Sequence, residues 1–270
     1  MFSFLYFLLQ NFWLYSGRKI FFLVSQADVV SNKCESQKRA KRDFSYYTQY
    51  ITFSGKKMLD VGCGSGKKTS YYCSNVNVEA VGVDVNKSFI KKGHARVRDM
   101  KIEIDFVVAD GAHLPFKRNS FDLVISNDTF EHIRNYKETI SEMERTVKLC
   151  GHICINFGPL WRSPFGAHLG FGEYFSPPWA HLFFSARSIK DILIRFGKFR
   201  EREWEQFINL SRITVREFET ILHKKGVRIV SLKLYTPPRF ERLLKTPLWE
   251  FFVTQAVTIL EKVSTGSINH

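Results

Sequence analysis

Short apolar runs alternate with amphipathic segments along most of this chain of 270 residues. The apolar runs predict strands at residues 57–61, 79–84, 104–110, 121–126, 152–157, 227–235 and 252–260. Helical spacing between them predicts helices, such as the one through Tyr136, Ile140, Met143 and Val147, which we expect Gly151 to end. Strands that alternate with helices predict an α/β fold with a doubly wound, mostly parallel sheet.

A glycine-rich turn follows the first predicted strand and leads into a helix. Glycines at 62, 64 and 66 allow positive φ and let a ligand approach the backbone without a Cβ in the way. Asp60 places a carboxylate at the carboxyl edge of the sheet, where open α/β sheets bind ligands. The dinucleotide fingerprint needs glycine where Lys67 stands, so the turn disfavours a nicotinamide cofactor.

The next two predicted strands also end in carboxylates. Asp84 follows Gly66 by 18 residues, and an acidic residue about 20 residues past such a turn can accept the ribose hydroxyls of a nucleoside. The alternative is that Asp84 caps the next helix, although Asn86 could do that instead. Asp110 ends the third strand, ahead of a loop that contains the apolar residues Leu114 and Phe116.

The segment from Asp60 to Gly66 resembles the Asp-x-Gly-x-Gly-x-Gly signature of the class I S-adenosylmethionine-dependent methyltransferases. After the fourth strand, Phe130-Glu131-His132 is similar to the Leu-Glu-His triplet of their small-molecule, type 11-like subgroup. The resemblance covers about residues 57–157 and implies a Rossmann-like, seven-stranded sheet with its last strand antiparallel. It also implies S-adenosylmethionine as the cofactor.

The resemblance and the strand ends together define the expected cofactor-binding residues, with Asp110 holding the adenine amine by resemblance alone. The resemblance also implies that Leu114 and Phe116 line the purine pocket or the nearby core. The full set is Asp60, Gly62, Cys63, Gly64, Gly66, Asp84, Val85, Asp110, Gly111 and Asn127. Cys63 is interpreted as a small residue that fits the turn, since no base stands beside it in sequence to activate it as a nucleophile.

His132 is the first candidate for a catalytic base, because imidazole titrates near neutral pH and could take a proton from an acceptor hydroxyl. The alternative is that His132 only holds its loop by hydrogen bonds. His168 and His181 are the reserve candidates.

Residues 158–185 combine four prolines and eight aromatic residues without any period, which is unusual for a plain connector. We predict a lid that covers the substrate, since the segment follows the fifth strand at the ligand edge of the sheet. An apolar or ring-shaped acceptor would contact its aromatic residues, Trp161, Phe165, Phe171, Tyr174 and Trp179. The alternative is a structured cap that packs on itself. The mixed charges at 198–205 predict a solvated face.

The first 24 residues contain two apolar runs, at 2–15 and 20–24, and neither reaches the roughly 20 residues of a spanning helix. They fit an interfacial membrane segment, a helix packed on the domain, or an extension translated from a wrong start codon, and no signal peptide is evident. We expect a hydrophobic extension and basic linker at 1–43, a methyltransferase domain at 44–261 with an insertion at 158–212, and a tail at 262–270.

Composition restricts the partners and the compartment. The formal charge of +14 favours an anionic partner such as nucleic acid or a membrane surface, unless lysine serves only solubility. Five cysteines without a C-x-x-C pair predict neither a disulfide framework nor a zinc site, which favours a reducing cytoplasm and no bound metal.

The predicted function is methyl transfer to an oxygen or nitrogen of a sugar, a lipid-linked molecule or an aromatic metabolite. Membrane-surface association through residues 1–24 remains open. The alternatives are an RNA methyltransferase that uses the basic surface, although no RNA-binding module is recognisable, and a non-catalytic scaffold that binds the cofactor.

Overall fold

A computed structural model describes residues 32–168, 178–195, 199–223 and 225–264. The strands are β1 (Lys56–Val61), β2 (Val78–Asp84), β3 (Asp105–Val108), β4 (Phe121–Asn127), β5 (Val147–Phe157), β6 (Val227–Tyr235) and β7 (Gln255–Lys262). The helices are α1 (Asn32–Tyr47), α2 (Lys67–Asn75), α3 (Lys87–Met100), α4 (Tyr136–Thr146), α5 (Ala180–Phe183), α6 (Ala186–Arg195), α7 (Glu201–Ile208) and α8 (Val215–Leu222). Short 3-10 helices cover Phe130–His132, Pro238–Lys245 and Trp249–Phe251.

The seven strands form one sheet in the order β3-β2-β1-β4-β5-β7-β6. β7 lies antiparallel to both of its neighbours, while β1 to β5 pair in parallel. This confirms the predicted doubly wound sheet with an antiparallel last strand. The order reverses direction at β1 and β4, so the carboxyl ends of these two strands flank the crevice where such sheets bind ligands.

Helices cover both faces of the sheet, which is why its central strands read as continuous apolar runs. On one face, Leu59 and Val61 of β1 pack in a core that α4 and α8 complete. On the other face, Met58 packs with residues of α1, α2 and α3. Leu114 is buried in the first core, and Phe116 packs against it.

Helix α1 runs across the boundary expected between residues 43 and 44. Asp43 is buried within it, 1% exposed, and its carboxylate lies 2.8 Å from the Lys68 ammonium of α2. Tyr47 is fully buried, and its hydroxyl donates to Asn127 Oδ1 over 2.8 Å. The second half of α1 is therefore part of the domain core.

The predicted helix through Tyr136 was too long. The helix through Tyr136 ends at Thr146 instead of continuing to Gly151, and β5 begins directly at Val147. The β-branched Val147 is buried in the core as a strand residue, so packing outweighs the helical spacing of the apolar positions.

The charge run at 198–205 is not simply a solvated face. α7 begins at Glu201 and buries Trp204 and Phe207 against other residues of the insertion, such as Ile189 and Leu193. Its charged residues are the outer positions of an amphipathic helix, which explains the misleading composition.

Among the described residues, no helix is both long and apolar enough to cross a bilayer. Residues 1–24, on which the membrane hypothesis depends, lie outside the described residues, as does most of the tail expected at 262–270.

Candidate functional site

A cavity of about 530 Å³ opens at the carboxyl edge of β1, β2 and β4. It is lined by Val61, Gly62, Gly64, Val83, Asp84, Val85, Asn86, Phe89, Ala109, Asp110, Gly111, Asp128, Thr129, His132, Ile133, Glu205, Gln206 and Asn209. Among the expected site residues, Gly62, Gly64, Asp84, Val85, Asp110, Gly111 and His132 are therefore brought together.

Two glycines of the turn after β1 have different roles in the cavity wall. Gly62 has φ 75°, and a Cβ there would overlap the side chain of Thr129, whose hydroxyl donates to Gly62 O over 3.1 Å. Gly64 has φ 54°, and a Cβ there would meet no atom within 4 Å. Gly62 thus permits close packing of two loops, while Gly64 keeps a part of the wall open.

Asp84 joins the end of β2 to the glycine turn. Its Oδ2 accepts the backbone N–H of Gly64 over 2.9 Å, and its Oδ1 accepts the N–H of Asn86 over 2.8 Å. Asn86 is the residue that caps α3, by accepting the N–H of Ser88. Each carboxylate oxygen of Asp84 keeps lone pairs that can accept hydroxyl protons.

Asp110 follows β3, beside the end of β2, and is more exposed than Asp84. Its Oδ1 accepts the N–H of Ala112 over 3.0 Å, and its Oδ2 lies 3.5 Å from Nδ1 of His113. The Asp110 carboxylate remains accessible to a ligand that donates hydrogen bonds.

Four other residues expected to bind the cofactor do not line the cavity. Asp60 is buried beneath the turn and accepts the Thr69 hydroxyl over 2.6 Å, and burial raises its pKa to about 6. Gly66 packs against the Phe106 ring, and Asn127 accepts the Tyr47 hydroxyl. Burial raises the pKa of the Cys63 thiol far above its ordinary range, which agrees with a packing role and not a nucleophile.

The structure separates the three candidate histidines. His132 lines the cavity, where desolvation, assisted by His168, lowers its pKa to about 4 against the opposing effect of Asp128. The His168 ring packs edge-on against His132 at 5.2 Å between centroids, and its Nε2 donates to Pro159 O over 2.9 Å. His181 is buried in the insertion, where its Nε2 lies 2.5 Å from Trp161 O.

A buried chain of charges supports the wall near His132. Lys68 Nζ lies 2.8 Å from Asp43 and 2.8 Å from Asp128, which lines the cavity. Burial alone would lower the pKa of Lys68, but these two carboxylates raise it above its ordinary value. Glu131 is buried close by, and desolvation raises its pKa well above the ordinary range.

The part of the cavity wall that α7 and the following turn form was missed by the sequence analysis. Glu205, Gln206 and Asn209 come from α7 and the turn that follows it, in and just after the segment interpreted as a solvated charge run. The signal that could have found them is the spacing of Trp204 and Phe207, which places two aromatic residues on one helical face.

Trp161 and Trp179 of the predicted lid pack within the protein, while Phe183 is 74% exposed. Trp161 stacks on Phe207 with centroids 6.2 Å apart, and Trp179 Nε1 donates to Phe251 O over 3.1 Å. These contacts favour the cap alternative for this part of the insertion. Phe171 and Tyr174 lie outside the described residues, so a lid formed by them stays a prediction.

Comparison with known proteins identifies the domain type. Residues 59–155 match a family model described as a methyltransferase domain. The chain is 32% identical over 101 residues to Phosphoethanolamine N-methyltransferase 3 of Arabidopsis thaliana, across 37% of this chain and 21% of that protein. It is 31% identical over 102 residues to the chloroplastic Tocopherol O-methyltransferase of Arabidopsis thaliana, across 37% of this chain and 29% of that protein.

These alignments are short compared with the relatives themselves. The chain covers only 21% to 40% of the length of the first curated relatives that it matches. Among solved structures, the PH0226 protein of Pyrococcus horikoshii superposes with a TM-score of 0.57 at 17% identity, over 87% of this chain and 93% of that chain. At this identity, the superposition establishes the fold alone.

Proposed function

The chain contains a class I S-adenosylmethionine-dependent methyltransferase domain, and we propose that it transfers the methyl group of that cofactor to a nitrogen or oxygen of a small-molecule acceptor. The observation that carries this proposal is the position of the Asp84 carboxylate, bonded to the Gly64 N–H at the wall of a 530 Å³ cavity. Cavities of this size are typical of small-ligand sites.

The residues present fit the cofactor. Asp84 has lone pairs for the two ribose hydroxyls, and the accessible Asp110 carboxylate can accept from the adenine amine. The open space at the missing Cβ of Gly64 admits a ligand against the backbone. Bound S-adenosylmethionine supplies a methyl group that its sulfonium activates for in-line displacement.

The protein residues contribute mainly by positioning. Aligning the acceptor with the methyl group can supply up to ~7–11 kcal/mol in favourable cases. Glu205 and Gln206 of α7 line part of the cavity, and wall residues that exclude water strengthen polar interactions inside. His132, with its pKa lowered to about 4, is a neutral imidazole at pH 7. It can accept a hydrogen bond from an acceptor group and take its proton as transfer proceeds.

The identity of the acceptor is the finer part of the proposal. Relatives named for N-methylation and for O-methylation match the chain about equally well, so the first acceptors to assay are a phosphorylated amine and a phenol. Sugars and lipid-linked molecules belong to the same proposal. Nothing in the described cavity walls favours a nucleic acid over these molecules.

Calorimetric titration with S-adenosylhomocysteine tests the cofactor site. We expect micromolar binding by the full chain, at least roughly tenfold weaker binding by Asp84→Asn, and unchanged binding by Asp99→Asn. Asp99 is an exposed carboxylate of α3 that does not line the cavity. Folded protein that binds neither the cofactor nor its product would refute the proposal, and binding without transfer to any acceptor would favour a scaffold.

A further inference from the structure

A second cavity, of about 400 Å³, lies beside α1 and the start of the segment after β5. It is lined by Lys38, Arg39, Arg42, Gly158, Pro159, Tyr235, Thr254 and Gln255. The family match at residues 59–155 includes none of these residues, so the resemblance assigns them no role. We call it the basic cavity.

Positive charge distinguishes the basic cavity from the 530 Å³ cavity proposed to hold the cofactor, which we call the cofactor cavity. Lys38 and Arg42 are four residues apart and Arg39 and Arg42 are three apart, so one face of α1 presents all three. None of the described residues that line this cavity is an aspartate or glutamate. The Arg42 guanidinium pairs with Asp43 and also lies over the Tyr235 ring at 5.5 Å, which holds it at the cavity wall.

Two sets of contacts join the basic cavity to the proposed cofactor site. Pro159 O, in its wall, accepts from His168, which packs on His132 in the wall of the cofactor cavity. Arg42 pairs with Asp43, and Lys68 lies between Asp43 and Asp128, in a chain of alternating charges that reaches the cofactor cavity. Protein groups thus connect the walls of the two cavities, and His132 stands at the end of the first connection, in the wall of the cofactor cavity.

A row of amide side chains begins at the wall of the basic cavity. Gln255 lines the basic cavity and donates to Asn156 Oδ1 over 2.6 Å, while the cross-strand neighbour of Asn156 is Asn127. The side-chain nitrogens of Asn127 and Asn156 are buried and have no partner within the described ranges. These two nitrogens line neither cavity, so contacts to a ligand in the basic cavity fall to the basic side chains of α1 and to Gln255.

From this arrangement, we infer that the basic cavity binds a phosphate group carried by the methyl acceptor, while the acceptor's nucleophile reaches His132. The inference depends on the proposed function, because it assigns the substrate class of the same site. Arginine guanidinium and lysine ammonium groups are the usual partners of phosphate in proteins.

Lys38 and Lys41 provide a matched pair for the test. Both are exposed lysines of α1, and only Lys38 lines the basic cavity. Arg42 is left unchanged because it also donates to the buried Asp43. The probe is inorganic phosphate, titrated into the full chain with bound S-adenosylhomocysteine at low salt and followed by phosphorus NMR.

We expect saturable phosphate binding by the wild type and by Lys41→Gln, and roughly fivefold weaker binding by Lys38→Gln. Glycerol phosphate should compete and glycerol should not. Competition by phosphatidic acid vesicles beyond that of glycerol phosphate would identify a lipid as the source of the phosphate. Equal effects of the two lysine variants, or no saturable binding by the wild type, would overturn the inference.

Titration of the same samples with S-adenosylhomocysteine separates the two proposals. Normal cofactor binding without phosphate binding refutes the basic cavity as a phosphate site and leaves the methyltransferase proposal intact. Absent cofactor binding by the folded wild type refutes the proposed function itself.

Discussion

Asp84 Oδ2 accepts the backbone N–H of Gly64 over 2.9 Å, so the end of β2 and the turn after β1 are bound to each other in the wall of the cofactor cavity. The turn is further tied to β2 because the N–H groups of Gly62 and Cys63 both donate to Val83 O. A ligand on Asp84 would therefore meet a preformed loop. Preorganisation of this kind reduces the entropy lost on binding.

The first prediction concerns Gly64. Gly64 and Gly55 both have positive φ, at 54° and 70°, and an added Cβ would meet no atom within 4 Å at either position. Alanine should therefore cost each site about 1 kcal/mol of unfolding free energy through backbone strain. Only Gly64 lines the cavity, so Gly64→Ala should also weaken S-adenosylhomocysteine binding roughly tenfold.

Urea denaturation and calorimetry on the two glycine variants measure both effects. Gly55→Ala is the control for strain, because it should lose stability without losing affinity. Equal affinities in the two variants would show that no ligand approaches the Gly64 backbone.

The second prediction concerns Lys68, which is 14% exposed and lies between the carboxylates of Asp43 and Asp128. Lys68→Met leaves the buried Asp43 with Arg42 as its remaining partner, and we expect a loss of about 2–3 kcal/mol in unfolding free energy. Lys67→Met removes the same charge from the exposed neighbour on α2 and should change stability by less than about 0.5 kcal/mol. Similar urea midpoints for both variants would contradict a structural role of this ion pair.

The third prediction uses the pH dependence of stability. Burial raises the pKa of Asp60 in the folded protein to about 6, against an ordinary value of 3.8. Between these values the folded state binds more protons than the unfolded state, so the contribution of Asp60 to stability falls as the pH rises. Asp60→Asn removes this loss and can still accept from Thr69 through its amide oxygen.

We therefore expect Asp60→Asn to match the wild type below pH 4 and to exceed it by up to about 3 kcal/mol above pH 6, measured by urea denaturation of the ligand-free protein. Asp122→Asn should behave in the opposite way. Burial raises the pKa of Asp122, but hydrogen bonds from Lys148 and the Lys57 N–H outweigh it and lower the pKa below the ordinary value. The stabilisation that Asp122 provides is present at neutral pH and is lost as the pH falls. Asp122→Asn should therefore be less stable than the wild type at pH 7.

The sequence predicts the parts of this site that depend on local pattern. Asp84 and Asp110 could be placed at the ligand edge because each follows an apolar run, and chain direction in a parallel sheet decides where those runs end. The ion pairs of Lys68 depend on α1, which is 25 residues away in the chain at Asp43. A local sequence pattern does not reveal a contact of that kind, so the burial of Asp43, just before the expected start of the domain at residue 44, could not be predicted.

The α7 wall was missed for a related reason. Charged residues outnumber the two buried aromatics in that stretch, and a count of charges hides a one-sided helix. The position of α7 then depends on tertiary contacts with Trp161, in a segment that has no period. The spacing of the apolar residues could have revealed the helix. Its position at the cavity depends on tertiary contacts, which local spacing does not predict.

The last prediction tests whether α7 functions as a wall of the cofactor cavity that contacts the ligand. Phe207 is 4% exposed, stacks on Trp161 and packs against Trp204 at 5.2 Å, so it holds α7 to the insertion. Phe207→Ala should leave a cavity under this helix and increase the rate of amide hydrogen exchange within α7. Because Gln206 lines the cofactor cavity, we also expect S-adenosylhomocysteine to bind roughly fivefold more weakly.

Ile208→Ala is the control, since Ile208 is the exposed neighbour of Phe207 on the same helix and should change neither measurement. Faster exchange with unchanged affinity in Phe207→Ala would show that α7 borders the cavity without contacting the ligand. Lower affinity with normal exchange would place the effect elsewhere. Faster exchange and lower affinity together in Phe207→Ala, with neither change in Ile208→Ala, would support a wall that contacts the ligand and whose position depends on one buried aromatic ring.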